Sequence, residues 1–126
     1  MEVFGVMNKV FIIDGNVNLR SAAKIMSNKN IGSLLIVKED KIKGILTERD
    51  ILKNISKLDS KISNVMSKGV ITIESNATIE EAAEKMAENK IKRLPVLKNG
   101  KLAGIISMTD VIAHVREIDD EHYLIN

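Results

Sequence analysis

The chain has 126 residues and a mass of 14.0 kDa, with 44% hydrophobic and 29% charged residues, a composition typical of one compact globular domain. The absence of cysteine excludes disulfides, cysteine-based zinc sites and cysteine nucleophiles, and is consistent with a reducing compartment. The net charge is only +2 and aromatic residues make up 2%, so the basic patch with stacking rings that favours nucleic-acid binding is missing.

The N-terminal segment MEVFGVMNKVFIIDG lacks the basic start and the small-residue cleavage site of a signal peptide. No apolar run approaches the about 18 residues that a membrane-spanning helix needs. The sequence therefore predicts a cytoplasmic protein that does not enter a membrane.

An internal repeat organises the chain. The stretch GILTERD at 44–50 recurs sixty residues later as GIISMTD at 104–110, within a longer run of matched positions. Further upstream, Val6-Met7 matches Val65-Met66 at a spacing that is one residue shorter. We therefore divide the chain into a first copy, residues 1–60, and a second copy, residues 61–126, with a linker near residues 57–63.

Each copy predicts the same elements in the same order. An extended lead-in at 10–13, or at 70–73, precedes an amphipathic helix. The helical apolar stripes are Leu19, Ala22, Ala23 and Met26 in the first copy, and Ile79, Ala82, Ala83 and Met86 in the second. Asn18 and Thr78 are the predicted N-caps, and Thr78 forms a capping box with Glu81.

Two strands and a second helix complete each copy. The strands are SLLIV and KGILT in the first copy, and RLPVL and LAGII in the second. They are joined by Glu39-Asp40 and by Asn99-Gly100, the latter a strong signal for a two-residue hairpin turn. The second helices begin at Glu48 and at Met108. The fold class is therefore mixed α+β, with two repeats of helix, strand, strand and helix behind an extended lead-in strand.

Sixty residues bury too little apolar surface to be comfortably stable alone. We expect the two copies to pack sheet against sheet about an approximate twofold axis. Such packing creates two equivalent clefts, and clefts of this kind bind small molecules.

The chain resembles a tandem pair of cystathionine-beta-synthase (CBS) domains, a Bateman module. The similarity covers about Val3 to Arg116 and rests on VM before VITI, IEEAAEKMAENKIKRLPVL, KNGKLAG and GIISMTD in the second copy. The first copy offers VM, FII, LRSAAKIMSNKNIGSLLIV, KEDKIKG and GILTERD. The resemblance implies a regulatory module without catalysis or cofactor that binds AMP, ATP, S-adenosylmethionine or methylthioadenosine.

In the family, the motif of glycine, aliphatic, any residue, Ser/Thr, two residues and Asp holds ribose, with the aspartate accepting bonds from both hydroxyls. Carried over, the motif names Thr47 with Asp50, and Ser107 with Asp110. Taken singly, each pair is also explained as a capping box. The two interpretations are compatible, because a helix start also attracts anionic ligand groups.

The resemblance also implies that each aspartate shares its cleft with strand residues of the other copy. The first predicted site comprises Ile45, Thr47, Asp50, Val70, Ile71, Thr72, Lys92, Arg93, Leu94 and Pro95. The second comprises Ile105, Ser107, Asp110, Phe11, Ile12, Ile13, Gly32, Ser33, Leu34 and Leu35.

The two sites differ in their expected affinity for phosphate. Lys92-Arg93 occupies the family position where basic residues reach phosphates, whereas the matching Gly32-Ser33 is neutral. The first site is therefore expected to take AMP or ATP, and the second an adenosyl ligand without phosphate. Read alone, Arg93 is a solvated cation at a strand end and Pro95 marks an edge strand.

The apolar stripe Val111, Ile112, Val115 and Ile118 predicts packing against a second chain, and hence a homodimer. His114 and His122, with Glu117 or Glu121, offer an alternative, a metal-dependent enzyme, although no metal site is predicted. The other alternative is a nucleic-acid or protein-interaction module that uses the same fold without a small ligand.

Overall fold

The computed structural model describes residues 1–115, which form two compact units. The first-copy unit is Val10–Val70, and the second-copy unit combines Met1–Lys9 with residues 71–115. The sequence repeat and the packing units thus have different boundaries, because the first nine residues pack with the second copy.

The first-copy unit is an α+β arrangement with a three-stranded sheet in the order β1-β2-β3. Strand β1 pairs parallel to β2, and β2 pairs antiparallel to β3. Its elements are β1 (Ile12–Ile13), α1 (Leu19–Lys29), β2 (Ser33–Lys38), β3 (Lys41–Thr47) and α2 (Glu48–Lys53). Short 3₁₀ helices at Ile55–Lys57 and Ile62–Asn64 give structure to the predicted linker.

The second-copy unit repeats this arrangement with a sheet in the order β4-β5-β6. Its elements are a 3₁₀ helix at Val3–Gly5, then β4 (Ile73–Glu74), α3 (Ile79–Asn89), β5 (Arg93–Lys98), β6 (Lys101–Ser107) and the helical residues 108–115, which we call α4. The predicted order of elements is confirmed in both copies.

The N-caps of the first helices are confirmed, but of the predicted capping box of Thr78 with Glu81 only the bond to the Thr78 hydroxyl is present. Asn18 accepts a hydrogen bond from the backbone N–H of Ser21 at 2.9 Å, and Thr78 accepts one from Glu81 N–H at 3.1 Å. These bonds satisfy backbone donors that have no partner inside the helix.

The hairpin turns are confirmed as well. Both central residues have positive φ in each turn, with values of 54° and 61° at Glu39 and Asp40 and of 52° and 76° at Asn99 and Gly100. Two successive positive φ angles define the turn type whose twist matches antiparallel strands. The second copy therefore uses residues suited to this turn, whereas the first copy holds two side chains in the left-handed region.

Each unit has its own hydrophobic core between its first helix and its sheet. The predicted stripe residues Leu19, Ala22 and Met26 are buried in the first core, and Ile79, Ala82 and Met86 in the second. Both methionines are thus plain core residues, as predicted. Val3 from the N-terminal segment completes the second core and is fully buried.

Candidate functional site

The turn from β3 into α2 carries the first candidate residue, Asp50. Its carboxylate Oδ2 accepts hydrogen bonds from the backbone N–H of Thr47 at 2.9 Å and from the Thr47 hydroxyl at 3.1 Å. Thr47 Oγ1 in turn accepts from Asp50 N–H at 3.4 Å. This reciprocal pattern is the predicted capping box, and it fixes the direction of the carboxylate.

The turn from β6 into α4 has the same geometry. Asp110 Oδ2 accepts from the N–H of Ser107 at 2.8 Å and from its hydroxyl at 2.9 Å, while Ser107 Oγ accepts from Asp110 N–H at 3.2 Å. The two candidate aspartates are therefore held alike, each at the start of a helix that directly follows a strand.

A further side chain, which the sequence reasoning missed, donates to each carboxylate. Ser67 Oγ donates to Asp50 Oδ1 at 2.9 Å, and Asn8 Nδ2 donates to Asp110 Oδ2 at 2.8 Å. The signal for these residues was available, because each directly follows one of the matched Val-Met pairs.

The segments that carry Ser67 and Asn8 pair with the last strand of each sheet. Ser67 and Ile45 exchange two backbone hydrogen bonds of 2.9 and 3.0 Å, and Asn8 and Ile105 exchange two of 2.7 and 3.0 Å. The matched residues thus place equivalent donors beside equivalent carboxylates.

The glycines of the two motifs make this close approach possible. A Cβ atom at Gly44 would overlap the side chain of Met66. At Gly104 it would lie 2.7 Å from the carbonyl oxygen of Asn8 and 2.8 Å from Met7 Sδ. The motif glycine therefore has a packing role, since any side chain would push away the segment that reaches the aspartate.

The two aspartates differ in exposure. Asp50 is 8% exposed and is buried, whereas Asp110 is half-buried. An ionised carboxylate is only an acceptor, with about four lone-pair positions. Three hydrogen bonds to Asp50 come from its own unit, so a ligand with two hydroxyls would have to replace one of them.

The strands place several predicted residues beside each motif of the same unit. In the first-copy unit, Ser33 lies opposite Thr47 and Leu35 opposite Ile45. In the second-copy unit the matching pairs are Arg93 with Ser107 and Pro95 with Ile105. The assignment of each aspartate to strand residues of the other copy stays a prediction.

Pro95 corrects one interpretation from the sequence. It lies buried in β5, the middle strand of its sheet, and not in an edge strand. In the first copy the matching Leu35 donates its N–H to the carbonyl of Phe11 at 2.9 Å. Proline cannot make this bond, and β4 accordingly begins one position later than β1 when the copies are aligned. Proline is tolerated in the middle strand because the second-copy sheet does not form the hydrogen bond that corresponds to Leu35–Phe11.

The other predicted residues differ in accessibility. The side chains of Leu34 and Leu94 lie in the two cores, which leaves their backbone atoms for contact with a ligand. Ile12 is 57% exposed and Lys92 is exposed, while Gly32 is half-buried.

Val70, Ile71 and Thr72 are half-buried, as are Phe11 and Ile13. The carbonyl of Thr72 accepts a 2.6 Å hydrogen bond from Lys85 Nζ, a residue that the sequence reasoning also missed. Lys85 has an isoleucine as its counterpart in the first copy, so this contact distinguishes the two copies.

The weak metal alternative falls mainly outside the described residues, since Glu117, Glu121 and His122 lie beyond residue 115. Within residues 1–115, no group of three histidine, cysteine, aspartate or glutamate side chains is placed to hold a metal ion. Over the same range, no helix has the length and apolar character needed to cross a membrane.

The family model for the CBS domain matches the chain twice, at residues 3–57 and 62–117. Among curated relatives, an uncharacterised 17.7 kDa protein of Acidianus ambivalens is 37% identical over 107 residues, covering 82% of this chain and 65% of the relative. The CBS domain-containing protein YhcV of Bacillus subtilis is 30% identical, covering 82% of this chain and 76% of the relative.

Some relatives are much longer. An inosine-5'-monophosphate dehydrogenase of Thermoplasma acidophilum is 36% identical over 108 residues, which cover 85% of this chain and only 22% of the enzyme. The chain thus spans less than two thirds of the length of several curated relatives that it matches.

Solved structures agree in fold along nearly their whole length. The CBS domain pair of protein MJ0100, in complex with 5'-methylthioadenosine and S-adenosyl-L-methionine, matches with a TM-score of 0.86 and 28% identity. The match covers 93% of this chain and 97% of that one. A CBS-domain protein of Agrobacterium tumefaciens matches with a TM-score of 0.83 and 28% identity, covering 90% and 98% of the two chains.

Proposed function

Because the chain belongs to the CBS-domain family, we propose that it is a regulatory module that binds adenosine-derived ligands through Asp50 and Asp110. The observation that carries the proposal is the pair of equivalent carboxylates, each held at a helix start by a hydroxyl residue three positions earlier. A carboxylate fixed in this way is a ready acceptor for a vicinal diol such as ribose. The module acts by binding, and no catalytic role is assigned to its residues.

The ligand class is proposed as AMP, ATP, S-adenosylmethionine or methylthioadenosine. The complex of the related MJ0100 domain pair with two adenosyl compounds supports this class. A thermal-shift and calorimetric panel of these four compounds, with ADP and NAD added, tests it. A ligand at about 100 times its Kd stabilises the folded chain by about 2.7 kcal/mol, which raises the melting midpoint measurably.

Ser67 and Asn8 link ligand binding to the rest of each unit. Their side chains donate to the same two carboxylates that are proposed to accept the ribose hydroxyls. A ribose hydroxyl that takes the place of one of these donors would remove the side-chain bond between the carboxylate and the segment that carries the donor. A ligand shifts a conformational equilibrium only when it contacts one arrangement better than the other, and this exchange of donors provides such a difference.

Lys92 and Arg93 are proposed to give one site its preference for phosphate. We expect Lys92→Ala combined with Arg93→Ala to weaken AMP and ATP binding about tenfold to a hundredfold, since charge-assisted bonds to phosphate are lost. Binding of methylthioadenosine, which has no phosphate, should stay unchanged. Calorimetric titration of all three compounds measures the difference.

The matched control for this pair is Gly32→Ala combined with Ser33→Ala, which alters the equivalent neutral positions of the first copy. It should leave AMP and ATP affinity unaltered. The assignment would be contradicted if the Lys92/Arg93 variant bound AMP and ATP with the same affinities as the natural chain.

We also propose a homodimer formed through α2 with the 3₁₀ helix that follows it, and through α4. Leu52 and Ile55 are 73% and 59% exposed, and their counterparts Ile112 and Val115 are 52% and 49% exposed. The same two apolar positions are thus uncovered in both units, as expected for a repeated contact surface. Val111 of the predicted stripe is not available for this contact, because it is buried in the core of the second-copy unit, and Ile118 lies outside the described residues.

Light scattering should give about twice the mass of one chain at micromolar concentration, because burying these side chains favours association. Leu52→Glu combined with Ile112→Glu should yield a monomer with an unchanged circular dichroism spectrum. The charge control is Arg49→Glu, at another exposed position of α2. A natural chain that stays monomeric throughout would rule out the dimer.

A further inference from the structure

A cavity of about 740 Å³ lies within the first-copy unit, at the end of the sheet that carries the β2–β3 hairpin. None of its lining residues belongs to either predicted adenosyl site. Three lysines, Lys38, Lys43 and Lys68, line it together with Ser63, Ile36 and Met66. Its volume is within the range of about 300–1,000 Å³ that is usual for small-molecule pockets.

The second copy shows what the cavity lacks. Ser63 donates its N–H to the carbonyl of Gly15 at 3.1 Å, and Phe4 donates its N–H to the carbonyl of the matching Ser75 at 3.0 Å. Ser63 and Phe4 therefore occupy equivalent positions in the two units, although one side chain is a small hydroxyl and the other an aromatic ring.

The ring of Phe4 lies beneath a lysine. Lys98 Nζ is 4.6 Å from the centre of that ring, a distance typical of a cation–π contact. The counterpart of Lys98 in the first copy is Lys38, which lines the cavity. The first copy thus keeps the cation of this pair but has serine where the ring would be.

The cavity also has its own charge. Lys43 replaces the alanine found at the matching position 103, so the first copy gains a cation there. Two carboxylates, Asp14 and Glu39, share the lining with the three lysines. Asp14 Oδ1 accepts from the backbone N–H of Asn16 at 2.8 Å, which occupies part of its acceptor capacity. Counted by formal charge, the lining remains positive.

We propose that this cavity binds a small aromatic anion. The ring of the ligand takes the position that Phe4 takes in the second copy, against Ile36 and Lys38, and the anionic group is paired with Lys43, the cation that the second copy lacks. Contact with Ile36 and cation–π attraction hold the ring, which is half exposed as Phe4 is (50%), and charge-assisted bonds hold the anionic group. The proposal is independent of the adenosyl-binding function, since it uses none of the same residues.

The test uses 2-naphthoate as the probe, with calorimetry for affinity and amide NMR shifts for location. The natural chain should bind it with shifts centred on Gly15 and Ser63. Ser63→Phe copies the second copy and should occupy the ring position in the cavity, which abolishes probe binding and leaves methylthioadenosine binding unaltered. Lys43→Ala, at an exposed position, should weaken probe binding about tenfold. The neutral analogue 2-naphthalenemethanol should bind to the natural chain about as weakly as 2-naphthoate binds to the Lys43→Ala variant.

A reciprocal variant tests the same ring position in the second copy. Phe4→Ser should open a matching cavity in the second-copy unit, with new probe-induced shifts near Ser75. Probe binding that survives Ser63→Phe, or shifts confined to residues far from Gly15, would overturn the proposal. If Ser63→Phe does not fold, equal affinity of Lys43→Ala and the natural chain for 2-naphthoate would overturn it instead.

Discussion

Replacing Asp50 or Asp110 with alanine is expected to abolish the binding of an adenosyl ligand at the altered site. Each carboxylate would form charge-assisted bonds with the ribose hydroxyls, and the loss of one such bond, about 1.5–3 kcal/mol, lowers affinity about tenfold to a hundredfold. Calorimetric titration of each variant, and of the double variant, measures how many sites remain. The double variant should show no ligand-induced rise in melting midpoint.

The aspartates also cap helices, so lost stability must be separated from lost binding. Thr78→Ala provides the matched control, because it removes the N-cap bond of α3 at a residue outside both predicted sites. It should cost about 1 kcal/mol of unfolding free energy and leave ligand affinity unaltered.

Two outcomes would contradict the ribose assignment. One is that both aspartate variants bind every compound of the panel as tightly as the natural chain does. The other is that no compound stabilises the natural chain while DNA binds with a strong dependence on salt, a result that would support an interaction module instead.

Gly104→Ala is expected to be the most destabilising of the glycine substitutions. The added Cβ would meet the carbonyl oxygen of Asn8 at 2.7 Å, and a backbone atom cannot turn away as a side chain can. Accommodation would strain the bonds that join Asn8 to Ile105 and to Asp110. We expect a loss of about 3 kcal/mol, measured by urea unfolding, at the upper end of the cost of overpacking.

Two other glycines calibrate this measurement. In Gly44→Ala the three atoms nearest to the added Cβ all belong to the flexible side chain of Met66, so a smaller loss of about 1 kcal/mol is expected. Gly5→Ala has Met1 Cγ at 3.8 Å as its nearest neighbour and should be close to neutral. Equal stability of the Gly104 and Gly5 variants would show that the packing of the N-terminal segment against β6 does not require glycine at position 104.

Much of the local structure was predictable because its causes are local. The apolar spacing of Leu19, Ala22 and Met26 indicates one buried helix face, and Asn18 supplies the cap that starts it. Asn99-Gly100 specifies its turn through the φ angles that these residues tolerate. The repeat then extended each assignment to the other copy.

The interpretation of Pro95 failed because a local rule was applied to a tertiary position. Proline lacks an N–H, which suggested an edge strand. Whether that N–H is needed depends on where the neighbouring strand begins, and β4 begins beyond the position that would have paired with it.

The sequence by itself determined the order of the elements, the two copies and the paired Thr47–Asp50 and Ser107–Asp110 motifs, since each depends on residues a few positions apart. Only the tertiary structure decided which segments pack together. It brings residues 1–9 to the second copy, sets Asn8 and Ser67 against the carboxylates, and leaves a cavity where Ser63 replaces a ring. These features depend on contacts between residues distant in the chain, where the space available to a side chain, and not its type alone, determines its role.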